Sequence, residues 1–534
     1  MTLKYDYAIL KLPDLGGKAI REMAFYLITK GIIFKYRSRK MMHKLCADLI
    51  AGINIRENLI ELNKEIKKDE AFDQFLDIYY EHEDVFKGFM DHEDAKVRKN
   101  IINVMGRVAD PELLSLLMSH YEQEETQFLK GDYLEAVEAF DYKEHVEFFK
   151  ERLVKLQKEE RTKHSVEEMR ALMRLIWKIE PPKKHTFKTG ASEEKVLLVV
   201  PRGHENVVIE EVNQIDDTQA KAMVGGVMVR TKHLADVCKV RTYQAVLFDF
   251  YPAMIGSDDG RVIGDTLIQN GLMDFVTKHH KENHPFVFRV DIKGVNDVRK
   301  KNQMAKELSL SLEEHSQGQL INDSSYYEIE IRVIAGAKGC RVFLKFSGLK
   351  DPRFVYRKYA MSTSMQPSKA ALMMRYLKPY MKEDANVLDP FCGTGTLLVE
   401  RAYAGKVKSL YGLDISAPAI QAAWDNSQRA GMILNLVQRN FNDFSHEYRF
   451  DEIITDMPRL SANIKPKQVE YVYQLLFVRS RELLADQGVL AVYCEDEYLM
   501  ERYLKEHTWL KRCKKIVMTK DKTSFIYILQ KLYN

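Results

Sequence analysis

The stretch Val387 to Gly405, VLDPFCGTGTLLVERAYAG, constrains the fold more than any other part of this 534-residue chain. An apolar run ends at Asp389, two glycines (Gly393 and Gly395) fall in the turn, and helical spacing of apolar residues begins near Thr396. Strand, small-residue turn and helix form the opening unit of an open α/β sheet, where the turn lets a ligand come close to the main chain. What the turn lacks narrows the ligand. GxGxxG would mark a dinucleotide site and GKS or GKT a P-loop, and neither is present, so no pyrophosphate is expected. An acidic residue at the strand tip repels phosphate and suits a cationic ligand.

From about Tyr359 the chain alternates strand and helix: NVLD, SLYGLD, ILNLVQ, DEIITD and GVLAVYC read as five parallel strands. The two runs in KRCKKIVMTKDKTSFIYILQKL predict a terminal hairpin that adds an antiparallel strand. Five parallel strands and such a hairpin are the pattern of the class I methyltransferase sheet. The second strand ends in Asp414, about 20 residues past the glycines, where a carboxylate can accept both ribose hydroxyls of a nucleoside. Two acidic strand tips around a glycine turn predict a positively charged nucleoside, S-adenosylmethionine. The expected cofactor site comprises Asp389, Pro390, Phe391, Gly393, Thr394, Gly395, Thr396, Asp414, Ile415 and Asn440, with Asp443 as the alternative to Asn440 for the adenine amino group.

The fourth strand ends in TDMPRLS. Methyltransferases acting on nucleobase amines carry Asn- or Asp-Pro-Pro-aromatic here: the side-chain oxygen and a carbonyl accept from the amine, and the ring stacks on the base. Catalysis of this kind is positioning and electrostatics. Asp456 and Pro458 are the expected catalytic residues, with Met457 between them and Arg459 in the aromatic place. A guanidinium plane can also stack on a base, so Arg459 is expected to touch substrate. No metal is required.

Upstream the character changes twice. Residues 1–178 read as all-α, and DHEDAKVRKNIINVMGRVADPELLSLLMSHY predicts a helix, a break from Gly106 to Pro111 and a second helix, loosely repeated afterwards in the manner of HEAT-like repeats. A linker follows at KIEPPKKHTFKTGASEEK. Residues 190–352 read as α+β, from the strand, Pro-Arg-Gly turn and helix of VLLVVPRGHENVVIEEV onward, and residues 359–534 form the α/β catalytic region. Six scattered cysteines without a CxxC pair suggest neither zinc nor disulfides. No apolar run is long enough to span a bilayer and no signal peptide is evident, so a cytoplasmic location is expected. The net charge of +4 leaves the partner open.

Over roughly residues 195–534 the chain resembles the THUMP-domain RNA methyltransferases, which methylate guanine at its exocyclic amine. VVPRGHENVVIEEV is similar to the opening of that family's ferredoxin-like module, HPFVFRVDIKG, YYEIEIRVIAG and FLKFSG to its THUMP strands, YRKYAMSTSMQPSKAALMMRYL to its interdomain junction, and DPFCGTGTLLVERA to its cofactor motif. The resemblance implies an RNA substrate, tRNA first and rRNA second, with a flipped or unpaired base entering the catalytic domain. Basic groups, among them Arg357 and Lys358 and the clusters at 299–301 and 511–515, lie where RNA contact is expected. DMPR departs from the family pattern, as does the long helical N-terminal region, for which a protein partner is the expectation. Two rivals stay open: an rRNA or DNA amine methyltransferase, and a non-catalytic RNA-binding scaffold.

Overall fold

The computed structural model describes residues 41–159, 162–188, 192–223, 225–459 and 465–533. The chain divides into two units, Met1–Lys183 and Lys184–Asn534.

The described part of the first unit is helical, from Ile55–Glu65 through Lys163–Ile179. In the helix Ala95–Val108, Asp94 caps the first turn by accepting from the Lys96 amide, and Val97, Ile101, Ile102, Val104 and Met105 form the buried stripe. The break expected from Gly106 starts later, at Ala109, which is left-handed at φ 52°. Gly106 is helical, and the reason for glycine there is packing: a Cβ would sit 2.8 Å from the Ala136 Cα of the helix Gln127–Val137. Deeper in, Glu168 is buried and satisfied by the Tyr121 hydroxyl at 2.6 Å and Arg152 Nε at 2.8 Å.

The second unit holds two sheets. The first contains β1 (Glu194–Val199), β2 (Thr218–Met223), β3 (Gly226–Thr231), β4 (Ala245–Ile255), β5 (Phe286–Lys293), β6 (Leu320–Asn322), β7 (Ile329–Gly336) and β8 (Gly339–Phe346), in the order β2-β3-β1-β4-β8-β7-β5-β6. It is mixed: β5 pairs parallel to β6 and β7, and the other pairs are antiparallel. The tail of the expected linker is anchored to it, because the buried His185 pairs with Glu328 at 2.8 Å and stacks on Phe286.

The second sheet contains β9 (Ala385–Asp389), β10 (Val407–Asp414), β11 (Asn435–Gln438), β12 (Phe450–Asp456), β13 (Leu484–Cys494), β14 (Leu510–Val517) and β15 (Phe525–Lys531), in the order β11-β10-β9-β12-β13-β15-β14. β9 to β13 pair in parallel, and β15 inserts antiparallel between β13 and β14. This is the predicted Rossmann-like sheet with its terminal hairpin. The chain winds outward from β9 to β11, then returns to place β12 on the other side of β9, so the topological switch point lies at the carboxyl end of β9. Toward the opposite, amino end of β9 lies a fully buried ion pair: Arg401 holds Glu452 through Nε at 2.6 Å and Nη2 at 2.8 Å, and the Lys382 amide and carbonyl complete the set.

The two sheets meet through polar contacts at the helix Thr396–Ala404. Arg241, just ahead of β4, donates to Glu400 at 2.9 and 2.7 Å, and the buried Tyr356 hydroxyl donates to the same carboxylate at 2.7 Å.

Candidate cofactor and catalytic site

The site is assembled at the switch point. β9 ends in Asp389, whose register partner on β10 is Gly412 and whose neighbour Leu388 pairs with Ile453 of β12. Asp414 and Asp456 therefore both lie two residues beyond the level of Asp389, one on each flanking strand, about 7 Å further along the strand direction. Three carboxylates thus end three adjacent strands around one crevice.

The turn between β9 and its helix is built for close approach. Gly393 and Gly395 have φ of 52° and 77°, and a Cβ at Gly393 would meet nothing within 4 Å. The Gly393 amide donates to Asp414 Oδ2 at 3.0 Å and the Ser416 amide to Oδ1 at 2.8 Å, so the carboxylate is oriented while each oxygen retains a lone pair. Cys392 is packed inward over Gly412, where a Cβ would come within 2.9 Å of its Sγ, of Leu398 and of Leu436. Gly412 is thus the residue that lets the turn settle onto the sheet. Pro390 and Thr394 are buried, Phe391 is half-buried and meets Phe441 edge-on at 5.7 Å, and Thr396 Oγ1 at the helix start is buried without a hydrogen-bond partner.

Asp389 is wholly buried, accepting from the Phe391 amide at 3.1 Å and the Thr455 hydroxyl at 3.0 Å; burial pushes its carboxyl up to about 8. Ile415 is 72% exposed beside Asp414, an apolar surface at the crevice rim. Asn440, exposed after β11, accepts at Oδ1 from the Asn442 amide at 2.9 Å; Asp443 Oδ1 accepts from Asn442 Nδ2 at 3.1 Å. The structure brings all ten expected cofactor residues to this end of the sheet.

Asp456 ends β12 opposite Tyr493 of β13. Its Oδ1 is buried and has no hydrogen-bond partner among the described residues, while Oδ2 accepts from Arg459 Nη2 at 3.4 Å. Burial pushes its carboxyl up to about 6, against the opposing pull of Arg459 and Lys369. Arg459 also pairs with Glu495 at 3.0 Å, and Pro458 stands half-buried between them and the strand end. Of the expected basic contacts, Arg357 is half-buried, and burial pushes its guanidinium down; Lys358 is exposed, its ammonium 5.0 Å from the Tyr359 ring.

Several residues here carry no motif. Asn426 of the helix Ala417–Arg429 is fully buried; it accepts from the Tyr359 amide at 3.1 Å and donates to the Tyr359 carbonyl at 2.9 Å and the Thr394 carbonyl at 3.1 Å. Ser364 bonds Thr394 at 3.1 Å. Together they strap residues 359–364 along the glycine turn. Lys369 and Tyr493, beside Asp456, are equally silent in the sequence. Among the described residues no cluster of three metal-binding side chains occurs, and no helix is long and apolar enough to cross a membrane.

Residues 355–524 match the UPF0020 family model, described as an RMKL-like methyltransferase domain. This segment is a methyltransferase domain. The chain is 24% identical over 171 residues to a tRNA (guanine(10)-N2)-dimethyltransferase of Methanothermobacter thermautotrophicus, covering 32% of this chain and 50% of the relative. It is 27% identical over 159 residues to the ribosomal protein L11 methyltransferase of Escherichia coli, covering 28% and 51%. The chain thus spans about half the length of these curated relatives. Among solved structures, TrmN from Thermus thermophilus is 17% identical with TM-score 0.48, covering 64% of this chain and 100% of that one. A methyltransferase solved with SAH is 14% identical with TM-score 0.47, covering 64% and 99%.

S-adenosylmethionine is the cofactor of the methyltransferase domain, and the residues present fit it. The open space at Gly393, the oriented Asp414 carboxylate and the Thr396 hydroxyl, unpartnered among the described residues, are the features such a nucleoside needs, and the carboxylates of Asp414 and Asp456 suit its positive charge.

Proposed function

We propose that this protein methylates RNA, transferring a methyl group to the exocyclic amine of a guanine, with tRNA as the first substrate to test. The observation that carries the reading is an oxygen of Asp456: a buried carboxylate oxygen without a partner among the described residues, at the strand end beside the cofactor crevice. Such an atom is costly unless a donor arrives, and an amine N–H is that donor. The cofactor supplies the methyl group. The protein supplies the rest: Asp456 Oδ1 accepts from the amine and aims its lone pair, the turn at Pro458 fixes the neighbouring carbonyl as a second acceptor, and the Arg459 guanidinium offers a plane for the base. Asp389, Pro390, Phe391, Gly393, Thr394, Gly395, Thr396, Asp414, Ile415 and Asn440 hold the cofactor, and Arg357 and Lys358 meet phosphate.

The resemblance of residues 195–352 to a THUMP module supports RNA as the substrate. So does the guanine specificity named for the archaeal relative. The helical unit has no strong charge bias toward RNA, since residues 1–183 carry 34 Asp and Glu against 31 Lys and Arg. A HEAT-like role in binding a protein partner suits it better. The test is mass spectrometry of nucleosides from tRNA and rRNA of cells with and without the protein, followed by transfer of radiolabelled methyl to the affected RNA in vitro. Loss of one N2-methylguanosine supports the reading. An unchanged nucleoside profile, with no cofactor binding by calorimetry, would replace it with the scaffold.

A further inference from the structure

The end of β12 carries more charge than amine recognition uses. Arg459 does not stand free: it reaches Asp456 at 3.4 Å and Glu495 at 3.0 Å, with its guanidinium 5.7 Å from the centre of the buried Tyr493 ring. A second cation meets the same ring. Lys369, in the first turn of the helix Pro367–Leu377, donates from Nζ to the Tyr493 hydroxyl at 3.0 Å and lies 4.9 Å from the ring centre. Tyr493 is the register partner of Asp456, and its carbonyl accepts from the Met457 amide at 2.9 Å. The ring is therefore pinned to the backbone turn that presents Asp456.

The charges facing Asp456 from each packed element are few. β9 contributes Asp389, β13 and the residue after it contribute the Cys494 thiol and Glu495, the helix contributes Lys369, and the turn contributes Arg459. Burial and the acidic neighbours disfavour a negative charge on Asp456, and among the described residues only the two cations favour one. Arg459 is shared with Glu495. The polar bond of Lys369 goes to a neutral phenol, which leaves its charge uncommitted.

We propose that Lys369 is a positioning residue for methyl transfer: by holding Tyr493 and placing a positive charge beside Asp456, it joins Arg459 in keeping Asp456 a carboxylate at neutral pH. This rests on the function proposed above and adds a requirement to it. As the amine lone pair forms the new N–C bond, the C–S bond breaks with its electrons passing to sulfur, and the nitrogen must shed one proton. An ionised Asp456 accepts that proton and returns it to water; a protonated one cannot.

The test compares the full-length protein with Lys369→Met, Lys369→Gln and Lys369→Arg. The first readout is the pH profile of kcat/KM on methylatable RNA. The acid limb should move up by at least half a pH unit in the Met and Gln variants and return in the Arg variant. The second needs neither RNA nor cofactor: thermal unfolding of each protein against its Asp456→Asn counterpart, followed with pH. The stability difference should level off at a higher pH without the Lys369 charge, with two neutral variants guarding against one that folds poorly. If transfer is measured and neither readout moves, Lys369 has no such role and the function stands. If no RNA is methylated at any pH yet the unfolding midpoint shifts, the function fails and the charge-setting role of Lys369 stands.

Discussion

Asp456→Asn is the sharpest probe of the site because it should stabilise the fold while abolishing transfer. Burial raises the Asp456 carboxyl from the 3.8 of an exposed aspartate to about 6. The native state therefore binds that proton more tightly than the unfolded chain does. The advantage is full below pH 3.8, shrinks as pH rises, and above about 6 the ionised group costs the fold about 3 kcal/mol, at roughly 1.4 kcal/mol per pH unit. Asparagine never ionises and escapes this cost, but its buried amide recovers less than the whole, since an imperfectly bonded amide costs about 1–2 kcal/mol of its own. The net gain at pH 7.5 should be about 1–2 kcal/mol, which for a domain of this size raises the midpoint by about 3–6 °C. Thermal unfolding of the full-length protein at pH 4.5, 6 and 7.5 reads it directly. Asp389 works in the same direction, because removing the Asp456 charge eases its own ionisation. A difference between variant and parent that does not change with pH would refute the reasoning, since only a titrating carboxylate gives it a pH dependence.

Three other substitutions separate binding from folding. Asp414→Ala should weaken S-adenosylmethionine binding at least tenfold in calorimetry, because the carboxylate ordered by the Gly393 and Ser416 amides is lost. Gly412→Ala should destabilise the fold by about 1–3 kcal/mol in denaturant, as its Cβ would press on Cys392, Leu398 and Leu436 at 2.9 Å. Arg401→Met should cost about 3–5 kcal/mol by leaving Glu452 buried without its partner, and adding Glu452→Gln should recover a large part of it.

These residues also mark what a sequence can disclose. The acidic tips Asp389, Asp414 and Asp456 are legible because each closes a short buried strand next to a turn, so local pattern and chemistry coincide within a few positions. Gly412 is half-legible: a glycine inside a strand signals a close approach, but what approaches it, Cys392, comes from the preceding turn. The hairpin of β2 and β3 escapes a reading of the sequence because β2 is almost wholly exposed on an edge and has no apolar alternation to read. Lys369 lies 124 residues from Tyr493, and Arg241 lies 159 from Glu400; neither pairing has a local signature, since both arise only when helices close over the sheet. That division bears on the departure at DMPR. Along the chain, Arg459 in place of an aromatic looks like a lost stacking partner. In three dimensions it joins Lys369 on Tyr493, a ring supplied by the neighbouring strand at the level of Asp456. Arg459 therefore brings a second positive charge to the Asp456 carboxylate, which the proposed transfer needs ionised, in the place of a flat apolar ring. On the proposed RNA substrate, a guanidinium in that place adds charge to whatever stacking it provides, so affinity should fall steeply with salt.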